Sequence, residues 1–213
     1  MAGGRRTIVK VCGMTRLDDA KVAVEAGADW LGFVLKWEGP RRITPEQAAE
    51  IAAAVPYATA VAVMVAPTPD EALALAARGG AQRVQLHRVD PFTWPADFPL
   101  PLTFSIPVAA DGSLTESLPP LSHLVMLDSA HATLPGGTGR TIPWETARIV
   151  AGARDVMLAG GLDGDIVGDA LERVRPYGVD ASSRLELAPG IKDADKVRRF
   201  VAAVRSFDER DPA

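Results

Sequence analysis

Gly27-Ala28-Asp29-Trp30-Leu31-Gly32-Phe33-Val34-Leu35, residues 27–35, reads as the end of a helix running straight into a buried strand. Glycine can end a helix in the left-handed region. The run Trp30–Leu35 is apolar without strict alternation, the pattern of a parallel strand covered on both faces. The same punctuation returns at Gly80-Ala81-Gln82 and Gly178-Val179-Asp180. The spacings of the three glycines fit two and then four units of about 25 residues, near the minimum for a strand plus a crossover helix.

Working outward, similar apolar runs occur at Thr7–Cys12, Ala58–Val65, Arg83–Leu86, Leu102–Ile106, Leu124–Leu127, Val156–Ala159 and Val179–Ser182. Helical patterns fill most of the gaps. Thr44-Pro45-Glu46-Gln47 and Thr68-Pro69-Asp70-Glu71 each supply a capping hydroxyl, a first-turn proline and a third-position side chain that can reach back. Val197, Phe200, Val201 and Val204 form a buried helical stripe. Asp90–Pro101 and Pro107–Pro120 are proline-rich and offer a turn or two of helix at most. Eight units of about 25 residues nearly exhaust the 213 residues, so the reading is an α/β chain forming a single-domain (β/α)8 TIM barrel of minimal length. Its helices after strands four and five are weak or degenerate. A doubly wound sheet of five or six strands fits less well. Residues 1–6 and 207–213 read as short tails to this one domain.

Composition limits the function. With 23 basic and 27 acidic residues the net charge is −4, which disfavours non-specific binding of nucleic acid. The single cysteine, Cys12, excludes an internal disulfide and a thiol-rich zinc cluster. No histidine or carboxylate spacing suggests a metal site. No apolar run is long enough for a membrane span or a signal peptide, so a soluble cytoplasmic protein is expected.

In such barrels the chemistry sits where strands end and their following loops begin. That rule selects Cys12, the stretch around Arg41, His87, Asp128, Gly160-Gly161 and Ser182-Ser183. Each has an ordinary reading too. Cys12 could be a small buried thiol, Asp128 a turn cap, and His87 a hydrogen-bonded rim residue. Glycines at a strand-to-helix turn expose backbone N–H groups that suit an anion, although either loop alone could be a plain tight turn. Occurring together after strands seven and eight, the two loops favour a phosphorylated ligand. Gly136-Gly137-Thr138-Gly139 has the composition of a closing loop but lacks the Lys-Ser/Thr ending of a nucleotide phosphate loop.

Taken together, these residues resemble the phosphoribosylanthranilate isomerases of tryptophan biosynthesis. The resemblance begins at Lys10-Val11-Cys12-Gly13-Met14-Thr15 and continues through Gly32-Phe33, Pro40-Arg41, Val84-Gln85-Leu86-His87 and Leu127-Asp128-Ser129. It runs on through Gly136–Gly139 with Trp144, Leu158–Leu162, Gly178-Val179-Asp180, Ser182-Ser183 and Pro189-Gly190-Ile191-Lys192-Asp193. It implies an Amadori rearrangement without cofactor or metal, on a small phosphorylated substrate. Cys12 would be the general base at the sugar C2 and Asp128 the general acid at the ring oxygen. Arg41 would hold the anthranilate carboxylate, and Gln85 and His87 would line the pocket. Backbone groups of Gly160, Gly161, Ser182 and Ser183 would hold the phosphate. A monomer is expected.

The implied pair must work against its resting preferences. At pH 7, ordinary pKa values give roughly 3% thiolate and roughly 0.08% carboxylic acid. The joint state then lies about 6 kcal/mol uphill. The site should therefore raise Asp128 by desolvation and lower Cys12 through a neighbouring cation or helix N-terminus. The sequence departs from the family pattern at Arg88 and Arg184, where glycine is usual, at Ile142-Pro143, and at Gly39 before Pro40-Arg41. Arg184 would be strained if its position needs a positive φ. The alternatives are a paralogue acting on another phosphorylated aldosylamine, and a non-catalytic phospholigand-binding barrel. A weaker one is a Schiff-base enzyme using inward-facing Lys10, a residue that equally suits an internal ion pair.

Overall fold

A computed structural model describes residues 6–129 and 142–210 of the chain. Eight parallel strands close into a barrel: β1 (Ile8–Cys12), β2 (Trp30–Lys36), β3 (Thr59–Val65), β4 (Arg83–His87), β5 (Leu102–Val108), β6 (Leu124–Ser129), β7 (Val156–Leu158) and β8 (Gly178–Ala181). Each strand pairs with its sequence neighbour, and β8 returns to β1 with Lys10 opposite Asp180. The helices are α1 (Leu17–Ala26), α2 (Pro45–Ala54), α3 (Pro69–Arg78), α4 (Trp144–Ala151), α5 (Val167–Val174) and α6 (Ala194–Arg210). Between β8 and α6 lie a 3-10 turn (Ser183–Leu185) and a small hairpin, β9 (Glu186–Ala188) with β10 (Ile191–Lys192).

Among the described residues, no helix follows β4 or β5, as the proline-rich connections predict. Both Thr-Pro segments form capping boxes: Thr44 with Gln47, and Thr68 with Glu71, exchange hydrogen bonds reciprocally. Gly27 ends α1 at φ 102, as read. The third member of the repeat differs. Gly178 opens β8, and the left-handed cap of α5 is Arg175 at φ 53. Gly178 is required by close approach, because a Cβ there would lie 2.6 Å from both Ile8 O and Met157 Sδ. The spacing therefore counts the units correctly although this copy is out of register.

A second correction concerns the C-terminus. Residues 207–210 belong to α6, Phe207 is buried, and Asp208 accepts from both the backbone N and Oγ1 of Thr7. The buried stripe simply extends one more turn. Arg205, also on α6, donates to the carbonyls of Thr7 and Gly27 and to Asp29. This pins the helix across the β1–β8 seam.

Alternation divides the core in two. Outward residues such as Val9, Val11, Leu31, Phe33, Leu127 and Val179 pack against helices in the main hydrophobic layer. Inside the barrel the apolar cluster is small, centred on Trp30, Val61, Met126, Met157 and Ala159. Above it, towards the C-terminal ends of the strands, the inward side chains turn polar: Lys10, Gln85, His87, Ser105 and Asp180 are all buried. Such groups are tolerated only when paired, so this layer marks the functional end.

Candidate active site

β1 projects Lys10 and then Cys12 into the barrel. Gly32, opposite Cys12 on β2, makes room for both: a Cβ at position 32 would stand 2.6 Å from Cys12 Sγ and 2.9 Å from Lys10 Nζ. Lys10 is 1% exposed and its Nζ donates to Asp180 Oδ1 at 2.8 Å. Burial is the strongest influence against its charge, but Asp180 and Cys12 together outweigh it and the ammonium is pushed up to about 12. A lysine so firmly protonated is a poor nucleophile, and the internal ion pair is the reading that survives.

Asp128 stands near the end of β6, with Oδ1 accepting from Ser129 N at 2.7 Å. Burial, helped by the Asp180 charge, pushes its carboxyl up to about 6. This matches the expected direction. Roughly a tenth of the groups are then protonated at pH 7, about a hundredfold more than for an ordinary aspartic acid. Cys12 does not meet its expectation. Burial pushes the thiol up, and although Lys10 and Lys192 oppose this, burial prevails. The neighbouring cations are present, but a thiolate with little water around it still lacks solvation.

Arg41 is reached through Gly13, whose φ is 78 and where a Cβ would lie 2.8 Å from Arg41 Cδ. Its Nε and Nη2 grip Glu186 in a fork at 2.9 and 2.7 Å. Lys192 Nζ donates to the same carboxylate at 2.9 Å and to Ser182 O at 3.2 Å. Burial disfavours the Glu186 charge, yet Arg41 and Lys192 hold its carboxyl below the ordinary range. Two cations on one anion leave a net positive charge beside Cys12. Glu186 and Lys192 escape a sequence reading based on strand ends, because the hairpin that carries them lies beyond β8.

On β4, Gln85 Nε2 lies 2.9 Å from His87 Nε2 and donates to Ser105 Oγ at 3.1 Å. Burial, with Lys10 and Arg88 nearby, pushes His87 down to about 3, so the imidazole is neutral and the pair lines the barrel. Gly160 and Gly161 follow β7 at φ 88 and φ 66. They do not open a helix directly: α5 starts at Val167, after a turn in which Asp163 accepts from Asp165 N and Ile166 N. Ser182 and Ser183 lead into the 3-10 turn, and Ser182 Oγ donates to Cys12 O at 3.0 Å. Among the described residues, nothing accepts from the N–H groups of Gly160, Gly161, Ser182 or Ser183.

The departures from the family pattern sort themselves. Arg184 lies in the 3-10 turn without positive φ, its guanidinium 4.0 Å from Asp163, so it is unstrained. Arg88 does adopt φ 55, and its guanidinium stacks 5.3 Å from the Trp37 ring. Ile142 is buried in the core and Pro143 forms the start of α4. Gly136–Gly139 lies outside the described residues.

Polar chemistry gathered inside one end of a closed eight-strand barrel, beside two loops with unpaired N–H groups, defines a single-domain (β/α)8 barrel with a site suited to a small anionic ligand. The profile of the N-(5'-phosphoribosyl)anthranilate isomerase family matches residues 9–203, and the chain belongs to that family. It is 41% identical over 203 residues to the N-(5'-phosphoribosyl)anthranilate isomerase of Rubrobacter xylanophilus, covering 93% of this chain and 98% of that one. Among solved structures it is similar to the phosphoribosyl anthranilate isomerase of Thermotoga maritima, at 31% identity and a TM-score of 0.83 over 94% of this chain and 99% of that one. A phosphoribosyl anthranilate isomerase in complex with reduced 1-(o-carboxyphenylamino)-1-deoxyribulose 5-phosphate matches at 29% identity and a TM-score of 0.79, with 94% and 99% covered.

Proposed function

We propose that this protein catalyses the Amadori rearrangement of N-(5'-phosphoribosyl)anthranilate, with Cys12 as general base and Asp128 as general acid. The observation that carries the assignment is the opposite placement of the two groups. A thiol flanked by Lys10 and Lys192 enters from β1, and a carboxyl held partly protonated near pH 6 enters from β6.

Asp128 protonates the furanose ring oxygen, the ring opens to a protonated imine, and Cys12 removes the C2 proton to give an enolamine. Tautomerisation of the enol then yields the 2-ketose. The N–H groups after β7 and β8 receive the phosphate as helix-free nests. The Nη1 of Arg41, which is not part of the Glu186 fork, faces the anthranilate carboxylate, and neutral Gln85 and His87 line the sugar. A substrate carrying phosphate and carboxylate does not cross a membrane unaided, which supports a cytoplasmic site of action. The exposed apolar side chains, among them Tyr57, Phe92, Leu121 and Ile149, are spread over separate loops and helices, which supports a monomer.

The test is growth without tryptophan of a strain lacking its own isomerase. The wild-type chain restores growth, and Cys12→Ala and Asp128→Asn each abolish it. Soluble wild-type protein that fails to support growth overturns the reading, as does an undiminished Cys12→Ala.

A further inference from the structure

The buried ion pair Lys10–Asp180 has more to do than neutralise itself. Register places Lys10 on β1, two residues before its end, beside Asp180 on β8, one residue before its end. The pair joins the two strands that close the barrel: β1 also carries Cys12, and β8 stands two strands from β6, which carries Asp128. Lys10 Nζ and Cys12 Sγ converge over Gly32, within 2.9 and 2.6 Å of the same point. At the other end, the Asp180 carboxylate is the charge that most strongly disfavours ionisation of Asp128, ahead of the attraction from Lys10.

Among the described residues, the charges that act on the thiol come from four parts of the chain. Lys10 comes from β1, Asp180 from β8, Lys192 from β10 and Arg41 from the segment after β2. Lys192 and Arg41 share Glu186, which spends much of their charge. Lys10 Nζ converges on Sγ over Gly32 and is, among the described residues, the charge that most favours the thiolate. Asp128 faces Asp180 and Lys10, with Ser129 donating to it. Neutral His87 adds no charge to either group.

We propose that Lys10 and Asp180 form a positioning dipole, whose ammonium end holds Cys12 towards the thiolate and whose carboxylate end holds Asp128 towards the neutral acid. One ion pair thus biases acid and base in opposite directions, which is what the rearrangement requires of them. The role rests on the assignment of Cys12 and Asp128 above. Both residues act through their neighbours and neither exchanges a proton with substrate.

Cys12 is the chain's one cysteine, so thiol titration reports on this position alone. The experiment measures the rate of iodoacetamide alkylation against pH, without substrate, in the wild type, Lys10→Met and the double variant Lys10→Met/Asp180→Asn. An opposite charge at this range shifts a pKa by about 1–3 units. The thiol midpoint therefore rises by at least about one unit in Lys10→Met, a tenfold or greater loss of alkylation rate below the midpoint. The double variant removes both charges and keeps the site neutral; its midpoint also rises, by less. If Lys10→Met does not fold, the double variant alone decides. Asp180→Asn moves the limb of the kcat/KM profile assigned to Asp128 to lower pH, with kcat falling more than KM rises. A thiol midpoint unchanged in both Lys10 variants overturns the proposal even if the enzyme is active. Activity surviving Cys12→Ala would instead sink the underlying assignment, whatever the thiol titration shows.

Discussion

Asp128, proposed above as the general acid, illustrates how the burial of a single carboxyl costs stability. Its carboxyl is pushed up to about 6, above its unfolded value, so the folded state holds the proton more tightly. A group raised in this way contributes stability that is complete below about pH 4 and lost as pH rises through about 6. At pH 7 the loss is on the order of 2–3 kcal/mol. Asp128→Asn keeps an oxygen for Ser129 N and removes the charge, so it should be inactive yet more stable than wild type at pH 7. The gain should vanish near pH 4, a comparison that thermal melts at the two pH values would make. Equal melting differences at both pH values would contradict it. At this scale the placement of Cys12, His87 and Asp128 at or beside the ends of β1, β4 and β6 was legible, because strand ends announce themselves in one dimension. The partners of Lys10 and Arg41 were not. Asp180 and Glu186 lie 170 and 145 residues away, and no local pattern encodes a contact made by barrel closure.

Elements were read most securely where their start signals are complete. Thr68 and Glu71 form the box that opens α3. Thr68→Ala removes one of its two bonds and should lower stability by about 1 kcal/mol, with kcat/KM unchanged. Urea denaturation checks the first half, and a matching loss of activity would mean that the loop after β3 contributes to the site. The ends of elements were read less well. Gly27 caps as its chemistry suggests, but α5 ends on Arg175 at φ 53, a position glycine would suit better. Gly160-Gly161 was right as a turn and wrong as a helix start, since five residues intervene before α5. Positive φ at a non-glycine residue, as at Arg88, is invisible to composition and is set by what the loop must reach.

At the scale of the molecule, counting apolar runs recovered all eight strands, because parallel strands buried on both faces leave an unbroken hydrophobic signature. The end of the last helix was missed: Phe207 and Asp208 bind across the seam to parts of the fold that the stripe itself does not show. Removing residues 207–213 should therefore destabilise the barrel by about 3 kcal/mol or more, the scale of losing a buried phenylalanine. It should leave the residual folded enzyme with its normal KM, a split visible in a melting curve beside steady-state kinetics. An unchanged melting temperature would show that the helix can be shortened freely.

The same seam shapes how the chain reaches its native state. Lys10 lies on the first strand and the carboxylate that neutralises it lies 170 residues later on the last. Any partial barrel that collapses around β1 before β8 arrives buries an uncompensated ammonium, which is strongly unfavourable. Early compact forms lacking β8 are thereby kept open to water at this strand, and the final docking of β8 is rewarded by a contact no shorter fragment can make. The charge pair should thus favour an all-or-none ending to folding, in which the circle closes and the ammonium gains its partner as one event.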